Sequence, residues 1–190
     1  MAKEFDKQVL STTIIRVVED TFKKMLRIEP TASPVAAEKD IIEFDGRMRV
    51  FPMEKFNGPV YVAFTNFYLS DNDLKNDQAL GTFVLFVKEE VVEKLFKAFG
   101  RSSKDAEDEE NLMDIVGEFC NILSGNFKNE LVALGYKDLL MSTPFKSRNS
   151  VPDGVAFDYE LFQKQEFSFT FWNQKCIVVE ACIGDVPLKS

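Results

Sequence analysis

Apolar residues recur at three- and four-residue steps from Leu10 through Ile14, Val17, Val18, Thr21 and Met25, with Arg16, Glu19, Asp20, Lys23 and Lys24 mostly on the other side. That period predicts a helix over about residues 5–28, stopped by Pro30 and Pro34. From about residue 35 to 88 the pattern changes to β-branched and aromatic runs: Ile41 and Ile42, Arg49 to Phe51, Val60 to Tyr68, and Thr82 to Val87. Asp45-Gly46, Asn57-Gly58-Pro59 and the polar stretch Ser70 to Gln78 punctuate these strands. Helical spacing returns at about 88–99, through Val91, Val92, Leu95, Phe96 and Phe99, with Gly100 placed as a left-handed cap. The acidic stretch 101–110 reads as a solvated loop leading into a third helix over about 107–134, ended by Gly135. Four more strands follow: Leu139 to Phe145, Val155 to Phe162, Glu166 to Trp172 and Lys175 to Ile183, the last two joined by a turn at Asn173-Gln174. Phe167, Phe169 and Phe171 alternate with Glu166, Ser168, Thr170 and Trp172, so one face of that strand is apolar. The order implies an α+β fold: two pseudo-repeats of helix plus strands forming one large, mostly antiparallel sheet covered by helices.

Composition narrows the chemistry. The 190 residues suit one domain over 1–190, with 45% hydrophobic residues to fill a core. There is no histidine. Ser–His and Cys–His nucleophile pairs, an imidazole base and histidine metal ligands are therefore excluded. The formal charge of −8, with no basic cluster, argues against nucleic acid or an anionic membrane as partner. Cys120, Cys176 and Cys182 lack zinc-site spacing and are odd in number, so they read as core thiols in a reducing compartment and no metal site is expected. The start, MAKEFDKQVLSTT, has no apolar signal-peptide region, and no uncharged run approaches the ~20 residues of a membrane span. A soluble, cytoplasmic protein is expected.

The third helix carries the candidate chemistry. Leu112, Ile115, Val116, Phe119, Ile122, Leu123, Phe127, Leu131 and Leu134 form a broad apolar stripe. Opposite it, Asp114, Glu118, Asn121, Gly125 and Lys128 share a strip roughly 80° wide at about 100° per residue. A mid-helix Gly125 costs about 1 kcal/mol relative to alanine, and nothing local requires it. Periodicity leaves two readings open: an ordinary polar face with a tolerated glycine, or a ridge kept bare for the backbone of a partner.

Asp114-x3-Glu118-x2-Asn121, then 22 intervening residues and Pro144, resembles the signature of the CheC/CheX/FliY chemotaxis phosphatases. The flanking Asn121-Ile122-Leu123-Ser124-Gly125-Asn126 is also similar to their helix, and the order of elements resembles the CheX-like domain over about residues 5–185. The resemblance implies a phosphatase of phosphorylated response-regulator receivers, chiefly CheY-like proteins, in chemotaxis or another two-component pathway. Asn121 would position the attacking water and Glu118 would pair with a lysine of the receiver. Asp114 would aid docking or helix orientation, Gly125 would leave room for the partner, and Pro144 would shape the strand edge beside the helix without chemistry of its own. The protein would need no cofactor, because the receiver supplies its own Mg²⁺. Glu19 lacks the matching residues of a second site, since Ile15 and Phe22 stand where an acid or serine and an asparagine would. One site per chain follows, with about 5–100 structural and about 101–185 carrying the site, as in the CheX-like subgroup; that subgroup also implies a homodimer.

Other patterns are weaker. Ser70-Asp71-Asn72-Asp73 lacks the glycine and terminal glutamate of a calcium loop and reads as a turn. No GxxxxGK[ST] phosphate cradle occurs, and Ser124 lies mid-helix without a base. Lys146, Arg148 and Asp153 follow Pro144 and would rim a docking surface or merely be solvated. Two alternatives in other classes remain: a non-catalytic module binding a receiver or flagellar-switch component, and a small-ligand carrier lined by the phenylalanine-rich sheet.

Overall fold

The computed structural model describes residues 4–101, 108–156 and 163–189. Strands β1 (Ala32–Lys39), β4 (Val60–Tyr68), β5 (Gly81–Lys88), β6 (Leu140–Met141), β7 (Phe145–Arg148), β8 (Lys164–Phe171) and β9 (Gln174–Ile183) build one seven-stranded sheet among the described residues. Its order is β1-β8-β9-β5-β4-β6, with β7 pairing further along β4, and every ladder is antiparallel. β2 (Glu43–Phe44) and β3 (Arg47–Met48) form a separate hairpin, closed by Asp45 and Gly46 at φ 55° and 70°. The helices are α1 (Lys7–Thr21), α2 (Asp71–Lys75), α3 (Glu89–Ala98) and α4 (Glu109–Ala133). The expected α+β architecture is the observed one.

The central strands read as unbroken apolar runs because both sheet faces are covered. On one face Tyr61, Ala63 and Phe67 of β4, Phe83, Leu85 and Val87 of β5, and Phe167, Phe169 and Phe171 of β8 pack under α1, α3 and α4. The phenylalanines fill this layer ring against ring: Phe22 stacks on Phe171 at 3.8 Å and meets Phe119 edge-on at 5.5 Å. The rings that a ligand carrier would spend on its pocket are thus packed against one another. On the other face Val62, Val84, Phe86 and Val178 pack with Met48 of β3 and with Val50, Phe56 and Val151 from the loops. There, Glu166 and Glu180 stand directly opposite each other on β8 and β9. Lys55 separates them, at 2.6 and 2.5 Å, with Glu180 only 2% exposed. Burial opposes the charge on Lys55, yet the two carboxylates hold its pKa above the ordinary lysine range; Glu166 is held below the usual carboxylate range, against the effect of burial, chiefly by that bond to Lys55.

Several element boundaries differ from the sequence expectation. The first helix begins at an Asp6 cap, passes into a π-turn at Phe22–Leu26 and stops at Arg27 in the left-handed region, not at the prolines. Pro34 lies inside edge strand β1, which the pattern missed because nearly all of it is exposed. Ile41 and Ile42 precede β2 rather than forming a strand, and the stretch Arg49 to Phe51 follows β3. The expected strand from Leu139 to Phe145 is two strands, broken at Ser142, Thr143 and Pro144. The β8–β9 turn is Trp172-Asn173, one residue earlier than expected, with φ of 51° and 58°. Asp71, Asn72 and Asp73 open a single helical turn capped by Ser70 instead of a plain turn. Val155 forms an isolated bridge to Met48, while residues 157–162 of the strand expected from Val155 to Phe162 lie outside the described residues, as do 102–107 of the acidic loop.

Candidate functional site

α4 starts at an Asp108 cap that accepts from the Glu110 N–H, with Glu109 and Glu110 favouring the positive end of the helix dipole. Its buried stripe is Ile115, Val116, Phe119, Cys120, Leu123, Phe127 and Leu131, held on β4 and against α1. Leu134, expected in that stripe, is exposed, and Ile122 is half-buried. Arg16 of α1 pairs with Glu130, and Asn126 donates to Thr21 Oγ1 at 3.1 Å, which fixes the rotation of α4. The opposite ridge is therefore solvent-facing by construction.

On that ridge Asp114, Glu118 and Asn121 are exposed in one line. Asn121 is one helical turn beyond Glu118, and its carboxamide makes no hydrogen bond among the described residues. Gly125 follows, and a Cβ there would meet nothing within 4 Å. Lys128, at the end of the strip, is half-buried and pairs with Asp138 at 2.9 Å. Glu118 faces Arg101 at 3.4 Å across solvent. Asp114 is engaged by Lys146 of β7. A shallow pocket of about 200 Å³, lined by Phe96, Arg101, Asn111, Asp114 and Ile115, opens beside the ridge where α3 approaches α4.

The structure sets Asp114, Glu118, Asn121 and Gly125 along one side of α4 and places Pro144 against the same helix at Gly117. Pro144 lies over α4 at Gly117: a Cβ on that glycine would be 3.9 Å from Pro144 Cβ and 3.3 Å from Lys146 Cδ. Gly117 was missed by sequence reasoning, although the signal used for Gly125, a mid-helix glycine that nothing local requires, applies to it equally. Arg101, expected in a solvated loop, instead faces Glu118. Arg148 is tied to Glu89 at 2.5 Å and Glu109 at 2.7 Å, fastening β7 to the starts of α3 and α4. Asp153 lies in the loop between Arg148 and the Val155 bridge and makes no link to the ridge among the described residues.

α1 presents no comparable ridge. Phe22 is fully buried and Ile15 packs on the core. Glu19 is half-buried, and burial, then Asp20 and Glu29, raise its carboxyl pKa. Ser124 is buried and donates to the Cys120 carbonyl at 2.7 Å, so it has no nucleophilic access. Among the described residues no three Cys, Asp or Glu side chains gather as metal ligands, and no helix is long and apolar enough to cross a membrane.

Comparison with known proteins shows what the chain is similar to. The sequence pattern of the family described as chemotaxis phosphatase CheX matches residues 74–150, which include the whole ridge and Pro144. No curated protein sequence matches the chain. Among solved structures, a CheC-like superfamily protein from Shewanella sp. PV-4 superimposes with a TM-score of 0.62 at 18% identity, covering 94% of this chain and 98% of that one. The chemotaxis protein CheX of Desulfovibrio desulfuricans gives 0.61 at 16% identity, covering 93% and 99%. A chain of the CheX–CheY–BeF3–Mg²⁺ complex from Borrelia burgdorferi gives 0.56 at 15%, covering 92% and 97%. The resemblance to the CheC/CheX/FliY family is thereby shown, in sequence over residues 74–150 and in fold over more than nine-tenths of the chain.

Proposed function

We propose that the protein is a phosphatase of phosphorylated, CheY-like receiver domains. The observation that carries this reading is the exposed line of Glu118, an unengaged Asn121 and the open backbone at Gly125 on a helix whose rotation is fixed. An aspartyl phosphate needs little covalent help, so placement of water accounts for most of the catalysis required. The Asn121 Oδ1 accepts a hydrogen bond from the water, and its NH₂ orients toward the phosphoryl oxygens. The water oxygen attacks phosphorus in line, the bond from phosphorus to the aspartyl oxygen breaks, and carboxylate and inorganic phosphate result. Mg²⁺ and the acidic pocket come with the receiver; this chain contributes position. The solved complex of a similarly folded CheX with CheY supports a receiver as the partner.

Glu118 fixes the docking register by pairing with a lysine of the receiver. To do so it leaves Arg101, an exposed pair at 3.4 Å of the kind worth about 0–1 kcal/mol, so the exchange costs little. The chain acts as a single domain, with one site within about residues 101–185, as a homodimer in the cytoplasm; sedimentation of the purified protein checks the dimer. The test of function follows the phosphate lifetime of a phosphorylated CheY-like receiver with wild type and Asn121→Ala. Shortening by wild type alone supports catalysis. Binding to the receiver with an unchanged lifetime would instead establish a non-catalytic receiver-binding or flagellar-switch module.

A further inference from the structure

Asp114 does not stand as a free docking carboxylate. Its carboxylate is engaged by the Lys146 ammonium, and the lysine comes from a strand 32 positions away in sequence. Lys146 reaches it by laying its stem across α4 at Gly117, where no side chain obstructs it. A Cβ on Gly117 would sit 3.3 Å from Lys146 Cδ, tighter than nine in ten real Cβ contacts, and at an ordinary 3.6 Å from its Cγ. Gly117 is buried and its backbone is ordinary helix, so conformational freedom does not explain the glycine; the crossing stem does.

The strand that launches the lysine is itself held. Pro144, with its ring over Gly117, sets the chain direction entering β7. Two residues beyond Lys146, Arg148 is clamped by Glu89 and Glu109, and Asn149 accepts from the Val60 N–H. Pro144, Gly117 and Asp114 thus converge on one result: an ammonium group, its side chain 41% exposed, held at the N-terminal end of the ridge that carries Glu118 and Asn121.

Resting on the receiver reading above, we infer that Lys146 is the group that meets the partner at this end of the ridge, and that Asp114 is a positioning residue which holds it. Lys146 makes a docking contact with carboxylates on the acidic rim of the receiver's phosphorylation pocket. It complements Glu118, which takes a receiver cation: one docking group of each sign, a turn apart, defines orientation as well as attraction. Pro144 and Gly117 serve as the frame for the lysine.

The experiment is a steady-state series with a phosphorylated CheY-like receiver at several salt concentrations. Lys146→Met keeps most of the stem and removes the charge. It is expected to raise KM about fivefold, leave kcat unchanged and flatten the salt dependence, because a rim charge acts on encounter and docking. Lys146→Arg restores KM. Asp114→Asn raises KM about twofold in the wild-type background and has no further effect when combined with Lys146→Met, as expected of residues acting through one another. Wild-type KM and salt dependence in Lys146→Met overturn the inference. An Asp114→Asn effect of equal size in both backgrounds also overturns it, by showing that Asp114 docks directly. A wild type no faster than Asn121→Ala overturns the phosphatase reading itself, and this inference falls with it.

Discussion

At the scale of single residues, the two glycines of α4 carry the most information. A glycine inside a helix costs about 1 kcal/mol against alanine, so each needs a reason. Gly117 has one within the chain, the stem of Lys146. Gly125 has none, since an added Cβ would meet nothing within 4 Å. Gly125→Ala should therefore stabilise the isolated protein by about 1 kcal/mol, read as a shift in the urea midpoint, while slowing receiver dephosphorylation. Stabilisation with undiminished activity would mean that no partner backbone approaches there. Glu118, Asn121 and Gly125 were legible from sequence because they lie on one helix, where a single period fixes their relative directions. The partners of the two carboxylates were not legible. Lys146 reaches Asp114 from a strand whose place is set by pairing with β4, and such pairing leaves no local trace.

At the scale of elements, strands with an apolar face could be read and those without one could not. β8 announces itself through Phe167, Phe169 and Phe171, whereas β1 is an exposed edge strand containing Pro34, Glu38 and Lys39. The break between β6 and β7 is not legible because Leu139 to Phe145 is apolar enough to pass for one strand; in the fold it sets Pro144 against α4 at Gly117. The cross-strand pair Glu166 and Glu180 would be unfavourable alone, and Lys55 makes it tolerable. Lys55→Met is expected to destabilise the fold by about 3 kcal/mol at neutral pH, because it removes the ammonium that bridges two facing carboxylates and leaves Glu180 only the longer pair to Lys164 at 3.8 Å. Glu166, whose pKa is lowered in the wild type, contributes stability above the ordinary glutamate pKa of 4.5 that is lost as pH falls through its folded value. The variant lacks that contribution, so the gap between the two proteins should narrow below about pH 4 in urea titrations. A gap that is constant with pH would assign the effect to packing on Phe86 instead.

At the scale of the whole molecule, the absent histidines and the three buried thiols leave the chain little reactive chemistry of its own, which fits the proposed role of placing water on a partner's phosphoryl group. All three cysteines are buried. Burial pushes the thiols of Cys120 and Cys182 up to about 12, and that of Cys176 in the same direction. The native protein should thus resist a maleimide at pH 8 and label only at the rate of global unfolding. Rapid labelling without denaturant would contradict this packing. With folded pKa values above the unfolded ones, the thiols bind protons more tightly in the native state. Stability is accordingly unaffected by them below about pH 8.5 and declines above it, each thiol contributing about 1.4 kcal/mol per pH unit until its folded pKa is reached. Such a core serves as a rigid mount for one helix ridge.

The central claim is that Asn121 on that ridge positions water on the phosphoryl group of a receiver. Its most direct test is single-turnover phosphate release from a phosphorylated CheY-like receiver, with wild type and Asn121→Ala at saturating concentration. The expected result is a wild-type rate well above the receiver's own, and a loss of about 100-fold or more in Asn121→Ala with receiver affinity retained. Equal rates for the two proteins would contradict the claim.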